Sequence, residues 1–468
     1  MAINTLITPQ FQLPRAAKTE PKRRPDPLGQ SPFCFRYRPD IDALRGIAVL
    51  AVIVYHLNES WLPGGFVGVD IFFAISGYVV MGSLLSRRVE SLGDFLSGFY
   101  ARRIKRLLPN LLCMVLLTAL GVAVIVPPDQ SRSIFTSAVK ALYGWSNNYF
   151  FFKADNYFAI DTAYNPFAHT WSLGVEEQFY LVFPFLLLLF GFVRGRNVFF
   201  PLLGFAIASL ILSAVTSAQA PMAAFFLMPS RFWEMAAGSL LVLAQARGWF
   251  SSFAHNPSLR RLRVLLGFGL IGWSLMTTSA YQGFPFPGCL PAIAGTCLVI
   301  EGLSAAELFR LPAPATHLSK GLVFCGVLSY SLYLWHWPVI TFLRWTVGFD
   351  HPWTYAVAVV LIAGLALLAF GLLEKPLRHL SLPRSGQFIA GLFGIAASWL
   401  LVEQLGEHRR GDFYLGRQAD KVFRQEEIGG RRPVIAGTGI DGAACGIAPW
   451  HPYSDAVATD FNSCSKPP

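Results

Sequence analysis

Residues 42–58, Asp42-Ala43-Leu44-Arg45-Gly46-Ile47-Ala48-Val49-Leu50-Ala51-Val52-Ile53-Val54-Tyr55-His56-Leu57-Asn58, form an apolar run that carries an arginine near one end and a histidine near the other. A helix crosses about 30 Å of hydrocarbon with about 20 predominantly apolar residues at 1.5 Å each, so this run reads as a membrane span. Working outward, further spans fall at 66–85, 107–126, 171–193, 197–217, 223–246, 263–280, 285–302, 321–345, 353–373 and 386–403, which makes eleven. Residues 134–152 do not join them, because Lys140, Asn147 and Asn148 interrupt the run; that stretch reads as an amphipathic or re-entrant piece.

Composition points the same way. Charged residues are 14% of the chain, where soluble domains carry about 25%, and hydrophobic residues reach 54% with forty phenylalanines and twelve tryptophans. A water-soluble globule of this make-up has too little polar surface to cover itself. The seven cysteines are scattered, and the +11 charge sits in short clusters between apolar runs instead of on one basic face. A disulfide scaffold and a nucleic-acid binder are thereby excluded. The expectation is an all-α polytopic integral membrane protein with about eleven transmembrane helices.

Positive charge is retained on the cytoplasmic side of short loops, and this orients the spans. Alternate connections hold Arg87, Arg88, Arg102, Arg103, Lys105 and Arg106; Arg194 and Arg196; Arg247, Arg260, Arg261 and Arg263; Arg310 and Lys320; and Lys375, Arg378 and Arg384. The intervening connections hold only Arg132, Lys140 and Lys153. The N-terminus is therefore expected in the cytoplasm and, with eleven spans, the C-terminus in the periplasm. Residues 1–36 are polar, Pro-rich and basic and read as a disordered cytoplasmic arm. Residues 404–468 read as a periplasmic extension, where Cys445 and Cys464 face an oxidising compartment that permits a disulfide between them.

Ionisable residues inside apolar spans cost about 3 kcal/mol each on insertion scales, so each is a candidate for function. Arg45 and His56 are eleven residues apart, about three turns, and so lie on nearly one face of the first span; the bland reading is a snorkelling arginine and an interfacial histidine. In His169-Thr170-Trp171-Ser172-Leu173-Gly174-Val175-Glu176-Glu177-Gln178-Phe179-Tyr180, residues His169, Ser172, Glu176 and Tyr180 make one polar stripe, with Glu177 about 100° away. A neutral or ion-paired Glu176 beside a histidine suits proton transfer, and a hydrogen-bonded structural cluster is the alternative. Arg231 and Glu234 are three apart and read as pore lining or as an intramembrane ion pair, and Asp70 as the partner of a neighbouring cation. Tyr333 and His336 share a face with Ser329 and are further candidates for a pore lining. Arg103 and Arg106 can face one anion together, since guanidinium forks suit phosphate; plain cytoplasmic retention explains the charge but needs no particular spacing. No metal-ligand spacing stands out.

At these residues the chain resembles the acyltransferase 3 family of membrane O-acyltransferases, which modify bacterial surface polysaccharides. The likeness is carried by Tyr37 to Gly46 with His56 at the Arg-x10-His spacing, by Gly68 to Tyr78, by Phe99 to Pro109, by His169 to Tyr180, by Ser230 to Glu234 and by Ser329 to Pro338. The resemblance implies a ten-helix acyltransferase domain over 37–380, in the bacterial inner membrane. That domain passes an acyl group, usually acetyl, from cytoplasmic acyl-CoA to a hydroxyl of a cell-surface polysaccharide or glycolipid. His56 matches the family's essential histidine and Arg45 its paired arginine, while Arg103 and Arg106 match a cytoplasmic arginine pair. Glu176 and His169 join His56 as catalytic candidates. The resemblance implies no permanently bound cofactor, with acyl-CoA, the glycan and the bilayer as partners and no nucleic acid. Some members continue through an eleventh helix, here 386–403, into an SGNH hydrolase-like domain. This sequence has the extra run and the linker-like residues 404–468 but no Gly-Asp-Ser block, which leaves a shortened form or a separate SGNH-type periplasmic partner as the expectations. The rival class is a transporter or flippase whose buried Arg, His and Glu couple protons or an anionic solute.

Overall fold

The runs read as spans fold mostly as helix in the computed structural model, with residues 285–289 in turns and a break at Leu227; it describes Phe35 and residues 37–86, 91–153, 160–192, 197–250, 256–279, 283–303, 313–408 and 412–415. The principal helices are α1 (Pro39–Leu57), α2 (Gly68–Leu85), α3 (Leu92–Ile125), α4 (Pro128–Leu142), α5 (Ser146–Lys153), α6 (Thr170–Leu189) and α7 (Phe199–Gln219). There follow α8 (Met228–Ala246), α9 (Pro257–Thr277), α10 (Leu290–Gly302), α11 (Ala313–Val327), α12 (Ser329–Thr346), α13 (Pro352–Ala369) and α14 (Arg384–Glu403). No strand occurs among the described residues. The basic arm up to residue 34 and both Cys445 and Cys464 lie outside the described residues. Phe35, expected in the arm, instead packs its ring against Tyr78, 5.6 Å between centroids.

Local chemistry starts these helices. Proline stands at the first position of α1 and α13, where its missing N–H is no loss. The Ser91 hydroxyl accepts from the Asp94 amide (3.1 Å) to cap α3. At 34 residues α3 is about 51 Å long, far more than a bilayer core needs. The Arg102–Arg106 cluster therefore rides on the same helix as the apolar run at 107–126, with Pro109 inside it, not on a loop before it. Residues 134–152 split between α4 and α5 around Gly144 at φ 63°, and Asn147 buries its amide against Gln178 (3.1 Å) and the Phe226 carbonyl (3.0 Å).

By length and composition, six helices among the described residues can cross a membrane, or seven when a bent pair counts as one span. That pair is α11 and α12, which meet at 73° next to Leu328; the single span read at 321–345 is thus two helices. α1 carries Asp40, Asp42 and Arg45 in its first two turns, and α10 is only 13 residues long. α7, α13 and α14 keep Phe205, Ile211, Val360, Leu368, Leu392 and Phe393 exposed, an apolar exterior suited to lipid. The chain is a multi-pass membrane protein.

Close helix contact is set by small residues, as expected where lipid offers no hydrophobic drive for association. A Cβ on Gly77 would lie 1.7 Å from the Met235 carbonyl oxygen, and one on Gly238 would lie 1.9 Å from that of Ala74, so α2 and α8 touch backbone to backbone. Gly46 and Gly326 do the same for α1 and α11, at 2.1 Å from the Leu322 oxygen and 1.6 Å from the Asp42 oxygen. These contacts fix α1, which carries both Arg45 and His56.

Candidate active site

α1, α2, α3, α6 and α12 enclose a cavity of about 280 Å³. Arg45 faces it from α1, Ser76 from α2, Arg102, Arg103 and Arg106 from α3, Ser172, Glu176 and Tyr180 from α6, and Tyr330 and Tyr333 from α12. A second cavity of about 570 Å³ shares Arg45, Val79, Arg102 and Arg106 with the first and adds Arg38, Lys105 and Arg378. Six cations thus surround the larger space against one carboxylate, Asp42, a potential that attracts a polyanion.

The cations are held by short local contacts. Asp42 accepts from the Tyr37 hydroxyl (2.7 Å) and from Arg45 (3.1 Å), which fixes the guanidinium at the boundary of the two cavities. Burial, with the Asp42 carboxylate beside it, holds the Tyr37 phenol above its ordinary range, so Tyr37 stays a donor. Arg38 binds Asp40 (2.5 Å) and the carbonyls of Ile300 (2.6 Å) and Leu303 (3.0 Å), tying α1 to α10. Arg103 lies between the rings of Phe99 and Tyr180, 4.2 and 4.0 Å from their centroids, an orientation that keeps it pointing inward. Arg103 and Arg106 both line the smaller cavity, and Arg106 reaches the larger one as well.

The polar stripe of α6 meets the smaller cavity. Glu176 accepts from Ser76 (2.6 Å) and from Tyr180 (3.1 Å), and Ser172 bonds the Tyr333 hydroxyl at 2.5 Å. Glu177 points away, with its carboxylate against Gly144.

Tyr333 also leads to a group of three histidines. Its hydroxyl donates to the His169 carbonyl (3.1 Å), and its own carbonyl contacts His336 Nδ1 at 2.6 Å. His336 Nε2 lies 3.1 Å from His56 Nδ1, with the ring centroids 5.2 Å apart and the planes 23° from parallel. His169 sits edge-on to His336 at 5.5 Å, with no hydrogen bond to it or to His56 among the described residues. His169 and His336 are buried, whereas His56 is partly exposed. Arg344 donates to the His56 carbonyl (3.2 Å) and to that of Ala163 (3.1 Å), closing the end of α1 against α12.

Arg231 and Glu234 lie elsewhere. Arg231 binds Asp70 (2.6 Å) and Glu234 (3.1 Å) in a cluster with no solvent exposure, and neither it nor Glu234 lines either cavity. Asp70, Glu234 and Cys289 bring ligand-type atoms within 4.8 Å of one another, and the Arg231 guanidinium forms ion pairs with both carboxylates, placing a positive charge where an ion would bring one.

Several residues at the site have no role in the sequence reading. Ser76 sits in the Gly68–Tyr78 stretch and shows no sign of its Glu176 bond. Glu374 is visible in principle, as an acid at the end of the 353–373 run; it is buried, accepts from Ser331 (2.9 Å) and pairs with Arg378 of the larger cavity. Asn110 joins the same network through Ser331 (2.8 Å).

Comparison with known proteins identifies the family. Residues 38–403 match the model of an acyltransferase domain family. The chain is 31% identical over 359 residues to the peptidoglycan O-acetyltransferase OatA of Listeria monocytogenes, covering 73% of this chain and 56% of that one. It is 32% identical over 362 residues to the O-acetyltransferase OatA of Staphylococcus aureus, covering 73% and 57%. To the putative peptidoglycan O-acetyltransferase YrhL of Bacillus subtilis it is 29% identical over 360 residues, covering 73% and 55%. The chain thus spans a little over half the length of these relatives. No solved structure matches. With the family model covering most of its length, the chain belongs to the acyltransferase 3 family.

Proposed function

We propose that this protein is a membrane O-acyltransferase that moves an acetyl group from cytoplasmic acetyl-CoA to a hydroxyl of an envelope polysaccharide outside the membrane. The observation that carries the reading is the pair of cavities sharing Arg45, Arg102 and Arg106: a wide cationic space continues into a narrower one lined by Glu176 and Tyr333, and Tyr333 contacts the histidines. The bulky phosphates of CoA suit the six cations, and guanidinium forks suit phosphate. The narrow pantetheine arm suits the smaller cavity, so that only the thioester end needs to cross. The full reading has eleven spans, the N-terminus in the cytoplasm, the C-terminus in the periplasm, and residence in the inner membrane. The names of the relatives favour peptidoglycan as the acceptor.

The chemistry assigned to the chain is general-base acyl transfer. His56 Nε2 takes the proton of the sugar hydroxyl as its oxygen attacks the thioester carbonyl; the C–S bond breaks, and the CoA thiolate leaves and receives the proton. Such help is worth about 10² to 10⁴ in rate. Glu176, bonded to Ser76 and Tyr180, and Arg45, paired with Asp42, hold the donor arm in line.

Sealed inverted vesicles test this. Radiolabelled acetyl-CoA is added on the cytoplasmic face, and the glycan enclosed inside is analysed. Label in ester linkage to the enclosed glycan is the expected result. Uptake of an intact solute with no new ester bond would instead identify a transporter.

A further inference from the structure

The hydrogen-bond chain through the histidines determines where their protons sit. A carbonyl oxygen only accepts, so His336 Nδ1, 2.6 Å from the Tyr333 oxygen, carries a proton. In the neutral ring His336 Nε2 is then bare and must accept, and its neighbour at 3.1 Å, His56 Nδ1, must donate. The bare nitrogen of His56 is left as Nε2, and His56 is the one ring of the three that is not fully buried.

We infer that His336 is a positioning residue: it holds His56 in the Nδ1–H tautomer and so presents Nε2, unprotonated, to the acceptor hydroxyl. In a general-base site this is the work usually done by a carboxylate, which both fixes the tautomer and stabilises the imidazolium. A neutral imidazole backed by a carbonyl performs the first task without placing a second charge beside Arg344, whose guanidinium bonds the His56 carbonyl at 3.2 Å. The two rings are 23° from parallel with centroids 5.2 Å apart, the arrangement of an edge-to-edge N–H···N bond. His169 lacks any bond to His56 or His336 and does not share this role.

The inference rests on the reading of His56 as base, and the experiment separates the two. The full-length protein in nanodiscs is assayed with labelled acetyl-CoA and a peptidoglycan-derived oligosaccharide as His56→Ala, His336→Phe, His336→Gln and His336→Asn. A glutamine oxygen reaches the place of Nε2 and accepts there, whereas the shorter asparagine does not. The expected result is a fall in kcat of about 10² or more for His336→Phe and His336→Asn, recovery to within about tenfold of wild type for His336→Gln, and an unchanged KM for acetyl-CoA throughout. In ¹⁵N-histidine NMR the resonance lost in His56→Ala should report Nδ1–H in wild type and in His336→Gln, and mixed tautomers in His336→Asn. If His336→Phe does not insert, the Gln and Asn variants, alike in polarity, decide the matter. Equal activity of those two, or an Nε2–H tautomer in wild type, overturns the inference. Full activity in His56→Ala overturns the reading beneath it.

Discussion

Two groups of charge in this protein are built on opposite plans. Asp70, Arg231 and Glu234 close on one another between α2 and α8, unexposed and away from both cavities. Arg45, Arg103 and Glu176 are half-buried and Arg106 is exposed, and all four face open space. The first group pairs its charges internally. The second leaves positive charge in excess of its acids, and that excess is what a polyanionic ligand can neutralise. An ionisable residue in a span is therefore a pointer to function only after its partners are known.

The comparison breaks most easily at Arg231. Replacing it with Met strands two carboxylates in an apolar interface, and loss of one partner from a buried ion pair costs about 3–5 kcal/mol. A large fall in melting temperature is expected by fluorescence-detected chromatography of the solubilised protein. Asp70→Asn, Arg231→Met and Glu234→Gln together should recover most of the stability and the activity. A stable but inactive triple variant would move this group into the reaction.

Next in size is the contrast on α6. Glu176→Gln should lower acetyl transfer roughly 10²-fold with little change in melting temperature, because its carboxylate lines the cavity and accepts from Ser76 and Tyr180. Glu177→Gln, on the side of Gly144, should leave the rate within a few-fold. Equal losses in initial-rate assays would remove the distinction between the two faces.

The smallest effect expected is at Arg45. Arg45→Lys keeps the charge and loses the fork, so KM for acetyl-CoA should rise about tenfold with kcat nearly intact. An unchanged KM would mean that Arg45 serves only its pair with Asp42.

Much of this contrast is invisible along the chain. The apolar runs and the 3.6-residue period reveal the helices, and the stripe His169–Ser172–Glu176–Tyr180 is legible because its members lie on one helix. Partnership across helices is not: His56 and His336 are 280 positions apart, and no local pattern pairs them. Glu176 likewise finds Ser76 a hundred positions away. The turn at Leu328 is not legible either, since Ser329-Tyr330-Ser331 is too short a polar stretch to break the apolar run; the turn comes just after Gly326, which meets α1 at Asp42. The apolar run at 107–126 marks only the lipid-matched part of α3, so the helical reach of its arginine cluster escapes a reading by hydropathy.

The central claim is that donor binding and acyl transfer are spatially divided, with binding at the cations and chemistry at His56. The direct test is to measure equilibrium binding of labelled acetyl-CoA and single-turnover transfer on one preparation of His56→Ala protein. The account predicts unchanged binding with transfer reduced about 10² to 10⁴-fold; transfer at the wild-type rate, or loss of binding in step with transfer, would contradict it.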